Sequence, residues 1–155
     1  MTRRAILAAS GVLFLLLGPG TVHAQEAELD KVLEPYLRIQ SQLARDSVEG
    51  IANDAAEIER NAHVLGQSAP GIIAPARKLG KAGDLETARA EFGLLSDALV
   101  SELDRRRASV PGVETMYCPM VKKSWLQRGT AIQNPYYGPA MLTCGERRKP
   151  PVPAR

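Results

Sequence analysis

Histidine and cysteine are scarce in this sequence, with two of each among 155 residues. One of the histidines, His23, falls in a segment expected to be removed on export, which leaves His63 alone. A zinc or catalytic centre built on several imidazoles is therefore excluded, and His63, at the margin of an apolar helical face, reads as a surface side chain. No run of roughly 20 apolar residues is present, so no segment is read as spanning a bilayer. Charge of one sign is not in excess either, with 20 Lys and Arg against 17 Asp and Glu. The basic clusters Arg105 to Arg107 and Arg147 to Lys149 are short and local, which excludes the extended positive field that nucleic-acid binding requires. The Gly80-Lys81 pair lacks the glycine spacing and the hydroxyl residue of a phosphate loop, because Ala82 follows it. No internal repeat is visible. The cysteines are not in a C-x-x-C arrangement, which disfavours a thiol redox enzyme, and nothing else suggests catalysis.

The N-terminus has the plan of a secretory signal. Arg3 and Arg4 precede a mostly apolar run from Ala5 to Leu17, followed by Pro19, Gly20 and the small residue Ala24. Residues 1–24 are expected to be removed, giving an exported, periplasmic protein. The T-R-R start also resembles a twin-arginine signal, and the choice of export route stays open. Losing Arg3 and Arg4 from the 20 basic residues leaves 18 against 17 acidic ones, a nearly neutral mature chain.

What remains reads as one domain, 25–146, with a tail at 147–155 rich in proline and arginine and expected to be disordered. Leu29, Val32, Leu33, Tyr36, Leu37 and Leu43 recur at helical spacing, and Pro35 either opens that helix or kinks it. A second helix is expected to open at D-S-V-E, with Asp46 as cap and Glu49 three residues on. Its face comprises Val48, Ile51, Ala52, Ala55, Ile58, Ala62 and Leu65, and Gly66 closes it. A short helix is expected from about Ile73 to Leu79. Asp84 then caps a long one, whose Leu85, Ala88, Phe92, Leu95, Leu99 and Leu103 alternate steps of three and four. The expected fold is mainly α: an up-and-down bundle of three to four helices with a small irregular or β module at about 113–146.

That module carries the chemistry. Between Thr115 and Gly145 lie both cysteines, the only tryptophan, three of the four tyrosines and every methionine except Met1. T-M-Y-C and A-M-L-T-C read as short strands, and N-P-Y-Y-G-P reads as a turn. Two readings of the cysteines stay open. An exported protein with an even number of cysteines is by default a disulfide protein, and a Cys118–Cys144 bridge would contribute about 3 kcal/mol. Methionines, however, cluster beside the cysteines and are absent from the helices, unlike core filler. Two thiolates from Cys118 and Cys144 with two thioethers from Met120 and Met141 form a soft donor set, the kind that selects Cu(I) or Ag(I). Trp125 or Tyr137 would shield such an ion.

C-P-M at Cys118 to Met120, W-L-Q at Trp125 to Gln127, and I-Q-N-P-Y-Y-G-P-A-M-L-T-C-G-E from Ile132 to Glu146 resemble the C-terminal signature of a bacterial domain of unknown function. That domain occurs alone in exported proteins and fused to periplasmic adaptor subunits of heavy-metal efflux pumps of the resistance-nodulation-division type. Tyr36 in the first helix and the F-x-x-L-S segment Phe92 to Ser96 fit it as well. The resemblance implies a periplasmic role in copper or other heavy-metal handling, with an adaptor or other efflux component as partner. It carries Cys118, Met120, Met141 and Cys144 as candidate ligands and supplies no established activity.

Overall fold

The computed structural model describes residues 20–148, with side chains from Leu29 onward. The expected signal run Arg3 to Leu17 and the tail from Lys149 lie outside the described residues. Four α-helices are found among the described residues: α1 (Gly20–Leu43), α2 (Ile51–Asn61), α3 (Ala69–Leu79) and α4 (Leu85–Arg106). Each packs on the next in sequence, as expected of a bundle with short links. None is long and apolar enough to cross a membrane.

Pro35 sits inside α1, and the helix continues through it. A proline there removes the N–H that would bond the carbonyl of Lys31 four residues earlier. Asn61, at the end of α2, supplies the missing donor: its side-chain amide reaches Lys31 O at 3.0 Å. The tertiary contact thus preserves the helix that the local sequence interrupts.

The expected Asp46 cap is not formed. Asp46 adopts a left-handed turn (φ 57°) and pairs with Arg89 of α4, while α2 starts only after Gly50, whose φ of 78° turns the chain into the helix. Val48 and Ala52 are consequently exposed, and the buried face of α2 is Ile51, Ala55 and Ile58. After α2 the chain tightens into a 3₁₀ segment, Ala62–Ser68, broken at Gly66 (φ 61°). Helix α3 begins at Ala69, earlier than expected, with Pro70 in its first turn where no N–H is needed. Helix α4 is as expected: Asp84 caps it by accepting from Thr87 N at 2.8 Å, and Ala88, Phe92, Leu95, Leu99 and Leu103 are buried.

The chain then forms β1 (Val113–Cys118) and β2 (Lys123–Arg128), an antiparallel hairpin with Val113 opposite Arg128 and Cys118 opposite Lys123. A two-residue strand, β3 (Glu146–Arg147), pairs with the other edge of β1, giving the order β2-β1-β3. Strand β2, which the sequence did not suggest, lies against both α1 and α4. Trp125 and Leu126 from it enter the same core as Tyr36, Phe92 and Leu99. Burial of each such large apolar side chain contributes about 1.5–3 kcal/mol. Arg147, assigned by composition to the tail, belongs to this sheet, and Arg148 beyond it donates its N–H to Thr115 O at 2.8 Å.

An outer sheet edge leaves main-chain groups without strand partners. Here two tyrosines take them. Leu126 N donates to the Tyr36 hydroxyl at 3.0 Å, and the Tyr136 hydroxyl donates to Ser124 O at 2.6 Å. Tyr36 also bonds Ser96 Oγ at 2.7 Å, and its ring stacks on Phe92 with centroids 5.0 Å apart. Burial holds both phenols well above the usual tyrosine range, so both act as neutral hydroxyls.

Candidate functional site

Cys118 is the last residue of β1, and Cys144 lies two residues before β3. The β1–β3 pairing sets Tyr117 opposite Glu146. One further step in that register brings Gly145 opposite Cys118, with Cys144 diagonally beyond it. That register makes the two cysteines neighbours across the β1–β3 edge; burial pushes the Cys144 thiol above its ordinary value, and nearby Cys118 adds to the shift. Cys118 has no exposed surface, whereas Cys144 is half-buried.

The segment 129–145 that delivers Cys144 has little regular structure, and three buried amides shape it. Gln127 Oε1 accepts from Trp125 Nε1 and from Gln133 N, both at 3.0 Å, and Gln127 Nε2 donates to Ala131 O at 2.7 Å. Gln40 of α1 holds Gln133 O at 2.6 Å. Asn134 accepts from Tyr136 N at 2.8 Å through its side-chain oxygen, and its amide donates to Cys144 O at 2.6 Å. The main-chain N–H of Cys144 donates to Met141 O at 3.0 Å. Both main-chain polar groups of Cys144 are therefore fixed.

Close packing completes the placement. Gly145 (φ 148°) lies over the Trp125 ring, where a Cβ would stand 2.7 Å from Cη2 and 3.1 Å from Tyr117 O. Gly138 (φ 56°) opens a 3₁₀ turn, Gly138–Met141, where a strand was expected from A-M-L-T-C. The turn takes in Ala140 and Met141, the first two residues of the expected strand, and Leu142 follows at helical angles (φ −55°, ψ −38°). Asp46 and Arg89 crowd the space where a side chain at 138 would go. Arg89 also donates to Pro135 O at 2.9 Å and Leu43 O at 3.1 Å, tying the loop to the end of α1.

The four sulfur residues named from the sequence fall into two classes. The cysteines are neighbours in the β1–β3 register, while Met120 is 61 % exposed in the hairpin turn and Met141 is 37 % exposed in the 3₁₀ turn. Met120 follows Cys118 by two residues, so its Cα lies within about 7 Å of that of Cys118. Trp125 is fully buried, edge-on to Tyr136 with centroids 5.9 Å apart, and Tyr137 packs half-buried against the core. His63 is exposed. Sequence reasoning passed over Met116, which is buried on the core face of β1 two residues before Cys118. The period-two spacing of Met116 and Cys118 was the available signal.

Among the described residues no three His, Cys, Asp or Glu side chains form a group able to hold a metal. A soft ion is a different case, because thioethers count among its donors. The arrangement fits one in chemical kind: two cysteines made neighbours by the β1–β3 register, with a solvent-facing thioether two residues from one and three residues from the other. Comparison of the chain with protein-family models, with curated proteins and with solved structures returned no match.

Proposed function

We propose that the chain is an exported periplasmic protein that binds one Cu(I), or Ag(I), for sequestration or for transfer to a heavy-metal efflux system. Cys118 and Cys144 supply thiolate charge, and Met120 and Met141 complete the ligand set as exchangeable neutral donors. The observation that carries this reading is the adjacency of two cysteines in the β1–β3 register, with a solvent-facing methionine two residues from one and three residues from the other. Apolar side chains exposed to that degree do nothing for the core, whereas soft donors on the solvent side of a thiol pair give an incoming ion its first ligands. Metal binding removes the thiol protons, so the raised value at Cys144 makes loading favour higher pH.

The test is the mass of the intact protein, isolated without oxygen from the periplasm of copper-treated cells and measured under native conditions. A species heavier by one copper that acid converts to the free dithiol supports the reading. A species lighter by two hydrogens that still takes up no Cu(I) after reduction rejects it. That second outcome belongs to the rival reading, a non-catalytic interaction module whose Cys118–Cys144 disulfide holds the 129–145 loop against a partner protein. The complete burial of Cys118 favours it.

A further inference from the structure

We infer that Cys118 and Cys144 form a reversible thiol–disulfide switch that is entered only through Cys144. The inference starts from the unequal exposure of two cysteines that the β1–β3 register makes neighbours. Thiol–disulfide exchange requires the attacking sulfur to line up with both sulfurs of the disulfide it attacks, so access decides which thiol reacts first. Cys118 is sealed at the end of β1, with Trp125 and Met116 buried in the same core. Cys144 is half-exposed between the exposed residues Thr143 and Glu146.

The steps follow from that asymmetry. The Cys144 thiolate attacks one sulfur of an oxidised donor, a small-molecule or protein disulfide. The donor S–S bond breaks, one donor half leaves as a thiol after taking up a proton, and a mixed disulfide remains on Cys144. Cys118 then gives up its proton and attacks Cys144 Sγ, and the second donor half leaves as a thiol. Two electrons and two protons pass to the donor, and the Cys118–Cys144 bond has formed. Reduction by a thiol runs the same path backwards, beginning at the Cys144 sulfur, the accessible one of the pair.

The second step is helped by a main chain that is fixed at Cys144. Cys144 O is held by Asn134 and Cys144 N by Met141 O, so the main chain keeps residue 144 next to the end of β1 while the donor is attached. On the copper reading proposed above, the oxidised form has lost both thiolates and only the reduced form takes the ion. The switch would then gate loading.

The experiment uses the purified, reduced protein with oxidised glutathione, followed by intact mass. Cys118→Ser is expected to gain one glutathione and keep it, Cys144→Ser to react at least tenfold more slowly, and the wild type to end two hydrogens lighter. Equal rates in the two variants, or a wild type that keeps both thiols, would overturn the switch. Should a variant fail to fold, timed alkylation of the reduced wild type reads the same order, with Cys144 labelled before Cys118 if the inference holds and together with it if not. Adding one equivalent of Ag(I) before glutathione separates the two proposals. Protection supports both, whereas the same ordered oxidation without protection leaves the switch standing and sinks the metal reading.

Discussion

The side-chain amide of Asn134 donates to the main-chain carbonyl of Cys144 at 2.6 Å, from a position with no solvent exposure. Through its oxygen the same amide accepts from Tyr136 N, and its own main chain bonds Leu142 O at 2.8 Å and Gly138 N at 3.1 Å. One residue therefore folds the ten-residue return that carries Cys144 to Cys118. Replacing Asn134 by Ala strands the part-buried Cys144 carbonyl and the buried Tyr136 N–H, the latter costing about 1–3 kcal/mol. We expect Asn134→Ala to unfold at clearly lower urea concentration and to form the Cys118–Cys144 disulfide more slowly than wild type. An unchanged oxidation rate would show that the network does not position Cys144.

Tyr36→Phe is the corresponding test for the junction of bundle and sheet. The substitution keeps the ring on Phe92 but removes the hydroxyl shared by Leu126 N and Ser96 Oγ. With Leu126 and Ser96 both buried, a loss of about 2 kcal/mol is expected. Ser96→Ala in the Tyr36→Phe background should then cost little more, because the partner is already gone. Additive losses in a double-mutant cycle would contradict a shared hydroxyl.

These two sites mark where sequence reading stopped. The α4 repeat was legible because a strict alternation of three and four steps has one outcome, a helix with one buried face. The D-S-V-E box misled because Asp46 found a better partner in Arg89, 43 residues away, and Gly50 offered a left-handed start to α2. Strand β2 was missed because Trp125, Leu126 and Gln127 are consecutive buried residues, which gives no alternation to detect. Gln127 and Asn134 look like ordinary loop polar residues in sequence. Their role exists only once Gln133, Ala131 and Cys144 are brought within hydrogen-bond reach. The meeting of the cysteines was compatible with either sequence reading, while the burial of Cys118 and the exposure of Met120 depended on the fold.

Glu102 makes part of the bundle's stability depend on pH. Its burial would raise the carboxyl, but hydrogen bonds from Arg105, Ser68 and Arg106 outweigh that and hold it down to about 2. A carboxylate whose folded value lies below its unfolded value of roughly 4.3 adds stability above that pH, and loses it as pH falls toward 2. Allowing for screening of the exposed Arg105, the contribution is about 2 kcal/mol at neutral pH. Chemical unfolding of wild type and Glu102→Gln should therefore differ at pH 6 and converge as pH approaches 2. A gap of the same size at both extremes would assign the loss to packing instead of charge.

The three methionines of the C-terminal module separate structure from ligand chemistry. Met116 is 1 % exposed and stands opposite Trp125 in the β1–β2 register, so Met116→Leu acts on packing, at a cost of less than about 1.5 kcal/mol. Met120 and Met141 face solvent, and changing either to Leu should leave stability within about 0.5 kcal/mol. If both are ligands, each change removes one thioether donor while the two thiolates remain, and Cu(I) retention against a competing chelator should fall about tenfold per site, equivalent to roughly 1.4 kcal/mol. Met116→Leu should leave that retention unchanged. A drop at Met116 but not at Met120 and Met141 would move the site into the core face of β1, and no drop at any of the three would leave the cysteines as the only candidate donors.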